Sequence, residues 1–130
     1  MDRRFRLAAA AAACVMTLTF SAVAYAYVTT DLTNWNLTET TSTWGSQFHV
    51  ATGTNGVVSY RWLDTPAKIT VVSGNACPDW SLYGSPATIG VNDTSYKALF
   101  GGYQGLCFVL RGRTAAGQGS MVNHDGRVQR

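Results

Sequence analysis

The residues that could do covalent chemistry in this chain of 130 residues are few, and three of them cluster near its C-terminus. Ser120, His124 and Asp125 are the residue types that act as nucleophile, general base and orienting acid in a hydrolase. Such a triad works only when the three groups meet in space, and closeness in sequence does not provide that meeting. Because His124-Asp125-Gly126 also carries the Asp-Gly signal of a tight turn, a polar turn is favoured over an active site.

Other catalytic and ligand-binding patterns are missing from the sequence. No serine lies in a G-x-S-x-G elbow, and no glycine-rich loop is followed by the lysine of a P-loop. A zinc site needs three or four close ligands, and the spacing of the His, Cys, Asp and Glu residues predicts none. The second histidine, His49, lies beside Phe48 in a predicted strand. We therefore expect a protein that is not an enzyme, with no catalytic residues, metal or cofactor.

Two cysteines, Cys77 and Cys107, follow the first 26 residues. An even pair in a short secreted domain is typical of a disulfide, and two cysteines allow one pairing. A reactive thiol pair would favour a short C-x-x-C spacing, which is absent. The sequence predicts a structural Cys77–Cys107 disulfide, which contributes about 3.5 kcal/mol in the chain-entropy model.

Residues 1–26 have the three parts of a secretory signal peptide. Arg3, Arg4 and Arg6 form a positive n-region, residues 7–20 an apolar h-region, and Ala24-Tyr25-Ala26 a small-x-small cleavage site. An uncleaved anchor is the alternative, since the apolar stretch approaches the roughly 20 residues that span a bilayer. We expect a secreted, extracellular protein without a membrane span after cleavage, and the alanine-rich leader indicates a bacterial source.

Cleavage of this segment would remove most of the net charge. Three of the ten basic and one of the seven acidic residues lie in it, which leaves seven basic and six acidic residues and a formal charge of +1. A nucleic-acid-binding domain usually shows a clear basic face. We therefore expect no nucleic-acid partner, and the remaining 104 residues have the size of one domain.

Runs of β-branched and aromatic residues, separated by glycine and asparagine, predict short strands. A hairpin is expected from residues 47–52 and 57–63 around Asn55-Gly56, and a second one around His124-Asp125-Gly126. Further strands are expected at residues 67–73, 88–91, 96–100 and 105–113. The predicted fold class is all-β, a small antiparallel β-sandwich or barrel-like domain.

The predicted β domain comprises residues 46–130, and residues 27–45 differ from it. This segment holds seven threonines together with Trp35 and Trp44, and it shows no clear alternation. Two interpretations stay open. The segment is either an extended N-terminal arm, suited to strand addition to another protein, or an edge strand of the same sheet.

Aromatic residues give the main indication of function, because Trp and Tyr are enriched at protein interfaces. Tyr60 and Trp62 fall within a predicted strand and are expected in the core, whereas Trp80 and Tyr83 follow Cys77 in a predicted loop. The candidate binding residues are Trp35, Trp44, Trp80 and Tyr83.

These features favour a secreted, non-enzymatic protein-binding module, an adaptor or recognition subunit whose partner is another secreted or cell-surface protein. The organisation, with a leader, an arm and one cystine-bearing β domain, is similar to that of adaptor subunits of secreted bacterial toxin complexes and of small secreted protease inhibitors. An inhibitor would present residues 74–86 as a rigid loop. The sequence is also compatible with a small toxin or hydrolase that has a site near His124 and Asp125, and with an envelope-associated structural protein.

Overall fold

The computed structural model describes residues 27–51, 56–64 and 66–130. These residues form nine strands and no helix, which confirms the all-β prediction. The strands are β1 (Thr29–Leu37), β2 (Ser42–Thr43), β3 (Phe48–His49), β4 (Gly56–Trp62), β5 (Thr70–Ala76), β6 (Leu82–Ile89), β7 (Lys97–Gly102), β8 (Cys107–Thr114) and β9 (Met121–Gln129). Nothing in this part of the chain is a helix that could cross a membrane. The predicted signal peptide lies outside the described residues and stays a prediction.

Two antiparallel sheets form a sandwich. Sheet A has the strand order β1-β9-β4-β7, and sheet B has the order β2-β8-β5-β6 with β3 also paired to β8. Because β2 and β3 pair with different parts of β8, they share one edge of sheet B as two short pieces. At the opposite edge of sheet B, β6 contacts β7 and connects the two sheets.

Strand β4 shows how the sequence forms this sandwich. Val58, Tyr60 and Trp62 are fully buried, and the residues between them face outward. Each such buried side chain contributes about 1.5–3 kcal/mol relative to an exposed one. The core also draws on both sheets and includes Leu32, Trp35, Leu37, Phe48, Val50, Val72, Ile89, Leu99, Phe100, Phe108, Leu110, Met121 and Val128. The expected burial of Tyr60 and Trp62 is therefore confirmed.

The predicted hairpin of residues 47–52 and 57–63 is wrong. Phe48–His49 pairs with β8 in sheet B, whereas Gly56–Trp62 pairs with β7 and β9 in sheet A. The two predicted arms therefore lie in different sheets, and the chain crosses from one to the other. Both arms bury apolar side chains in the same core, so their local pattern does not distinguish a hairpin from a crossover. The predicted turn residues 53–55 lie outside the described part of the chain.

The second predicted hairpin is also wrong. Met121–Gln129 is one continuous strand between β1 and β4, and His124-Asp125-Gly126 lies within it. Gly126 permits close packing there, because a Cβ at this position would overlap the Tyr60 hydroxyl. The hydrogen bonds of a neighbouring strand on each side keep this segment extended, and they outweigh the local turn preference of Asp-Gly.

The other predicted strands are present with bounds shifted by several residues. Residues 67–73, 88–91, 96–100 and 105–113 correspond to β5, β6, β7 and β8. The largest error is at β6, which begins at Leu82 and runs through Gly84 and Pro86. Pro86 has no backbone N–H, and an edge strand tolerates it because one side of the strand needs no partner.

The N-terminal segment contributes an edge strand to sheet A. Thr29–Leu37 pairs with β9 and buries Leu32, Trp35 and Leu37. Two register shifts interrupt this ladder around Asn34, whose φ is 59°. Asparagine is among the residues that adopt such a positive φ most readily. The apolar side chains of this segment are therefore part of the core of the same molecule.

The predicted disulfide is confirmed. Cys77 and Cys107 are bonded, with their Cα atoms 5.6 Å apart and a sequence separation of 30. The bond connects the end of β5 with the beginning of β8, which are already neighbours in sheet B through the Ala76–Phe108 pair. It therefore closes a loop that contains β6 and β7.

Replacing both cysteines by alanine should lower the free energy of unfolding by about 2–4 kcal/mol, because the unfolded chain regains loop entropy. Urea denaturation of the two proteins measures the difference. Adding a reductant should lower the midpoint of the wild type and leave that of the Cys77→Ala, Cys107→Ala variant unchanged. A wild-type midpoint that ignores the reductant would contradict a stabilising disulfide.

Candidate functional site

The structure does not bring together the three residues of the hydrolase alternative. His124 is fully buried in β9, Asp125 beside it is half-buried, and Ser120 is exposed ahead of the strand. The hydrogen-bond partners of the His124 ring are Tyr60 and Asp64. Successive residues of a strand point to opposite faces, so the side chains of His124 and Asp125 lie on different sides of sheet A.

His124 is the centre of a polar line that runs from the surface into the core. Its Nε2 lies 2.5 Å from the Tyr60 hydroxyl, and its Nδ1 lies 3.2 Å from Asp64 Oδ1. A carboxylate only accepts hydrogen bonds, so Nδ1 carries the proton and Nε2 accepts from Tyr60. Burial lowers the pKa of His124 and outweighs the opposing effect of the Asp64 carboxylate, which keeps the ring neutral. Burial likewise raises the pKa of Tyr60.

This line has the residue types of a proton relay, and two tryptophan rings cover its inner part. Trp35 and Trp62 lie against the His124 ring, with ring centroids 6.4 and 5.4 Å away. No cavity opens in the described part of the chain, and its His, Cys, Asp and Glu side chains form no group of three that could hold a metal. Along this line each polar side chain satisfies the next by a hydrogen bond.

The four predicted binding aromatics occupy different environments. Trp35 is only 4% exposed and packs edge-on against the half-buried Trp44 at 5.9 Å, so it offers no surface to a partner. Tyr83 is half-buried and packs against Phe100 at 5.1 Å. Trp80 is 47% exposed. Of these four residues, Trp80 is the best placed to contact another molecule.

Trp80 lies in the turn between β5 and β6, residues 77–81, which we call the Trp80 loop. The backbone N–H of Ala76 donates to Ser81 O at 2.8 Å, and the backbone N–H of Trp80 donates to Ala76 O at 3.1 Å. The Asn75 side-chain amide donates to Trp80 O at 2.7 Å. These bonds hold Trp80 at a φ of 64°, a conformation that a bulky residue adopts only when its surroundings impose it.

Asp79 fixes the outer part of the Trp80 loop. Its Oδ1 accepts hydrogen bonds from the backbone N–H and the hydroxyl of Ser81, at 3.0 and 2.9 Å. The backbone bond, followed by the hydroxyl bond, lowers the pKa of Asp79. The disulfide at Cys77 anchors the other end of the loop to β8. The loop is therefore ordered before any partner binds.

The Trp80 loop lies beside the outward face of sheet B. The Arg111 guanidinium carbon is 5.8 Å from the centre of the Trp80 ring, a cation–π distance. Leu82 follows the loop and is exposed, and Arg113 is two residues further along β8 on the same side as Arg111. We call Ser73, Leu82, Arg111 and Arg113 the sheet B face. Together with Trp80, this face combines tryptophan with arginine, two residue types that are enriched among the residues that dominate binding affinity.

No protein-family model, no curated protein and no solved structure matches the chain. No residue role is therefore taken from a relative, and each role assigned to a side chain rests on its own contacts in this fold.

The variant Tyr60→Phe should lower the free energy of unfolding by about 1–3 kcal/mol, because it leaves His124 Nε2 buried without a donor. Urea denaturation measures the loss. Tyr103→Phe is the matched control, since Tyr103 is 62% exposed and should be near neutral. Equal effects of the two variants would contradict the buried network.

Stability should fall as the pH falls below 6.5, the ordinary pKa of histidine, because the pKa of His124 is lowered in the folded protein. The unfolded chain then binds a proton that the folded chain rejects, which costs up to about 1.4 kcal/mol per pH unit until the folded pKa is reached. Unfolding free energies between pH 7.5 and 5 measure the slope. His49→Gln removes the other histidine, and a slope that disappears in this variant would exclude His124 as its source.

Proposed function

We propose that the protein is a secreted, non-enzymatic binding module, an adaptor or recognition subunit, that contacts another extracellular protein through the Trp80 loop and the sheet B face. The observation that carries this proposal is an exposed tryptophan on a loop that hydrogen bonds and a disulfide hold in place. Three features support it: the cost of exposing this ring, the order of the loop and the burial, at least in part, of the other tryptophans.

A large exposed ring at a positive φ is costly for the isolated domain. Trp35 and Trp62 are buried and Trp44 is half-buried, so the fold covers the other tryptophans at least in part. Exposing an aromatic ring forgoes burial energy, and the φ of Trp80 adds backbone strain. Neither the exposed ring nor the positive φ improves the packing of the isolated domain. Both become useful if Trp80 enters a pocket on a partner.

The order of the Trp80 loop supports tight recognition. Binding normally costs about 0.5–1.5 kcal/mol for each long side chain that must be ordered, and a fixed loop avoids part of that cost. Tryptophan suits this role because a rigid ring supplies a large contact area with few rotatable bonds. The same order favours the second candidate function, a protease inhibitor, which would present this loop to an enzyme.

Residues 27–45 have a smaller part in the proposed contact than the sequence suggested. Leu32, Trp35 and Leu37 fill the core, and the backbone of β1 pairs with β9. The register shifts near Asn34 also break the outer edge of β1, so it does not offer a continuous row of backbone groups for strand addition. The proposed contact is therefore assigned to the Trp80 loop and the sheet B face.

The test is capture of the partner by the full chain, tagged at its C-terminus and recovered from the medium of the organism that makes it. The wild type should retain a stoichiometric extracellular protein, identified by mass spectrometry. Trp80→Ala should weaken its binding at least about 30-fold, the effect of losing a dominant interface residue. If the captured partner is a protease, an assay of its activity with and without this protein then distinguishes an inhibitor from an adaptor.

The control is Val122→Ala, because Val122 is 68% exposed near the start of β9 and lies outside the proposed contact. This variant should bind the partner like the wild type. Thermal melts must show that both variants are folded. A partner that Trp80→Ala binds unchanged, or the absence of any stoichiometric partner, would overturn the proposed function.

A further inference from the structure

The acidic side chains of the domain are all engaged by groups of the same molecule. Each of the six carboxylates between residues 27 and 130 accepts at least one hydrogen bond. The pairs are Asp31 with Arg127, Glu39 with the Gly119 N–H, Asp64 with His124, Asp79 with Ser81, Asp93 with Ser95 and Lys97, and Asp125 with the Asn34 N–H. Two of the six, Asp31 and Asp93, pair with an arginine or a lysine, and none of the six lies opposite Arg111 or Arg113 in the strand pairing.

Several basic side chains are engaged in the same way. Lys97 pairs with Asp93 and Arg127 with Asp31, while Lys68 and Arg130 donate to backbone carbonyl groups. Among the described residues, Arg61, Arg111 and Arg113 make no ion pair and no side-chain hydrogen bond. Arg61 lies in the same cross-strand row as Asp31 and Arg127, whereas Arg111 and Arg113 have no carboxylate in their rows. The sheet B face thus carries two uncompensated positive charges.

The positions of these two arginines define a spacing. Arg111 and Arg113 are both half-buried on the outward side of β8, two residues apart, which corresponds to about 6.6–7 Å along a strand. Their cross-strand neighbours are Thr43 and Ser73 for Arg111 and Val71 for Arg113, all uncharged. An extended peptide with carboxylates at every second residue has the same spacing.

The apolar part of the surface lies at one end of this pair. Leu82 is opposite Asn75, which pairs with Val109, two residues before Arg111. The Trp80 ring lies next to Arg111. The apolar part of the surface, formed by the Trp80 ring and by Leu82 on β6, therefore adjoins the Arg111 end of the Arg111–Arg113 pair.

Building on the proposed function, we propose that the partner offers an extended acidic segment, with an apolar side chain against Trp80 and Leu82 and two carboxylates bound by Arg111 and Arg113. Arginine suits this role because its planar fork can bind a carboxylate with two parallel hydrogen bonds. The acidic segment would also supply the acceptors that the domain itself withholds from these arginines. Negative charge on the partner additionally speeds association at low salt.

Two synthetic peptides test this proposal, Phe-Thr-Glu-Thr-Glu and the uncharged Phe-Thr-Gln-Thr-Gln, both with blocked ends. Titration of the full chain should show at least about tenfold tighter binding of the Glu peptide, and added salt should reduce the difference. Arg111→Gln and Arg113→Gln should each weaken binding of the Glu peptide about tenfold, the expected loss of a charge-assisted hydrogen bond.

Arg61→Gln is the matched control. Arg61 is also a half-buried arginine at an outward strand position, with its guanidinium 4.9 Å from the centre of the Tyr96 ring, but it lies in sheet A. This variant should bind the Glu peptide like the wild type. An equal loss in Arg61→Gln would show that general charge decides the binding and would overturn the proposal.

Three further results would overturn the acidic-segment proposal. They are no binding of either peptide, equal binding of both, and displacement of the Glu peptide by heparin fragments with the same dependence on Arg111 and Arg113. The capture experiment distinguishes failure of the acidic-segment proposal from failure of the proposed function. A partner lost in Trp80→Ala and kept in Arg111→Gln and Arg113→Gln would leave the binding module standing without the acidic segment.

Discussion

The hydrogen bond between the Tyr60 hydroxyl and His124 Nε2 is the contact on which the arrangement of sheet A depends. It requires a buried neutral histidine in β9, a tyrosine in β4 and a glycine at position 126 to make room for the phenol ring. Asp64 holds the outer nitrogen of His124, so the network reaches water at one end only. Histidine beside aspartate therefore stabilises a core here, although the same residue types perform catalysis elsewhere.

The outer faces of the two sheets differ in how their charges are paired. In sheet A, the outward row formed by Asp31, Arg127 and Arg61 contains the Asp31–Arg127 ion pair, so one carboxylate lies in the same row as both arginines. In sheet B, the outward arginines have no acidic partner among the described residues, and the adjoining loop exposes a tryptophan. This difference in charge pairing between the two outer faces distinguishes the proposed contact surface from the outer face of sheet A.

Periodicity and cysteine pairing predict the fold class, the disulfide and most strands, because these depend on local burial and on a single pairing. They do not predict the topology. Whether residues 57–63 turn back onto residues 47–52 or cross to the other sheet depends on distant partners in β7, β8 and β9. The turn predicted at His124 is wrong for the same reason, since the burial of this residue comes from Tyr60, which lies 64 residues away in sequence. The exposure of Trp80 follows from its position after Cys77-Pro78-Asp79, whereas the pairing of Arg111 with Trp80 requires the fold.

The broken edges of the sandwich bear on how the protein behaves at high concentration. One edge of sheet B consists of two pieces of two residues each, and the outer edge of β1 is interrupted around Asn34. Long, flat edges allow copies of a protein to join strand to strand and to grow into fibres, and short or bulged edges prevent this. These interrupted edges therefore leave few consecutive backbone groups through which copies of this protein could join strand to strand.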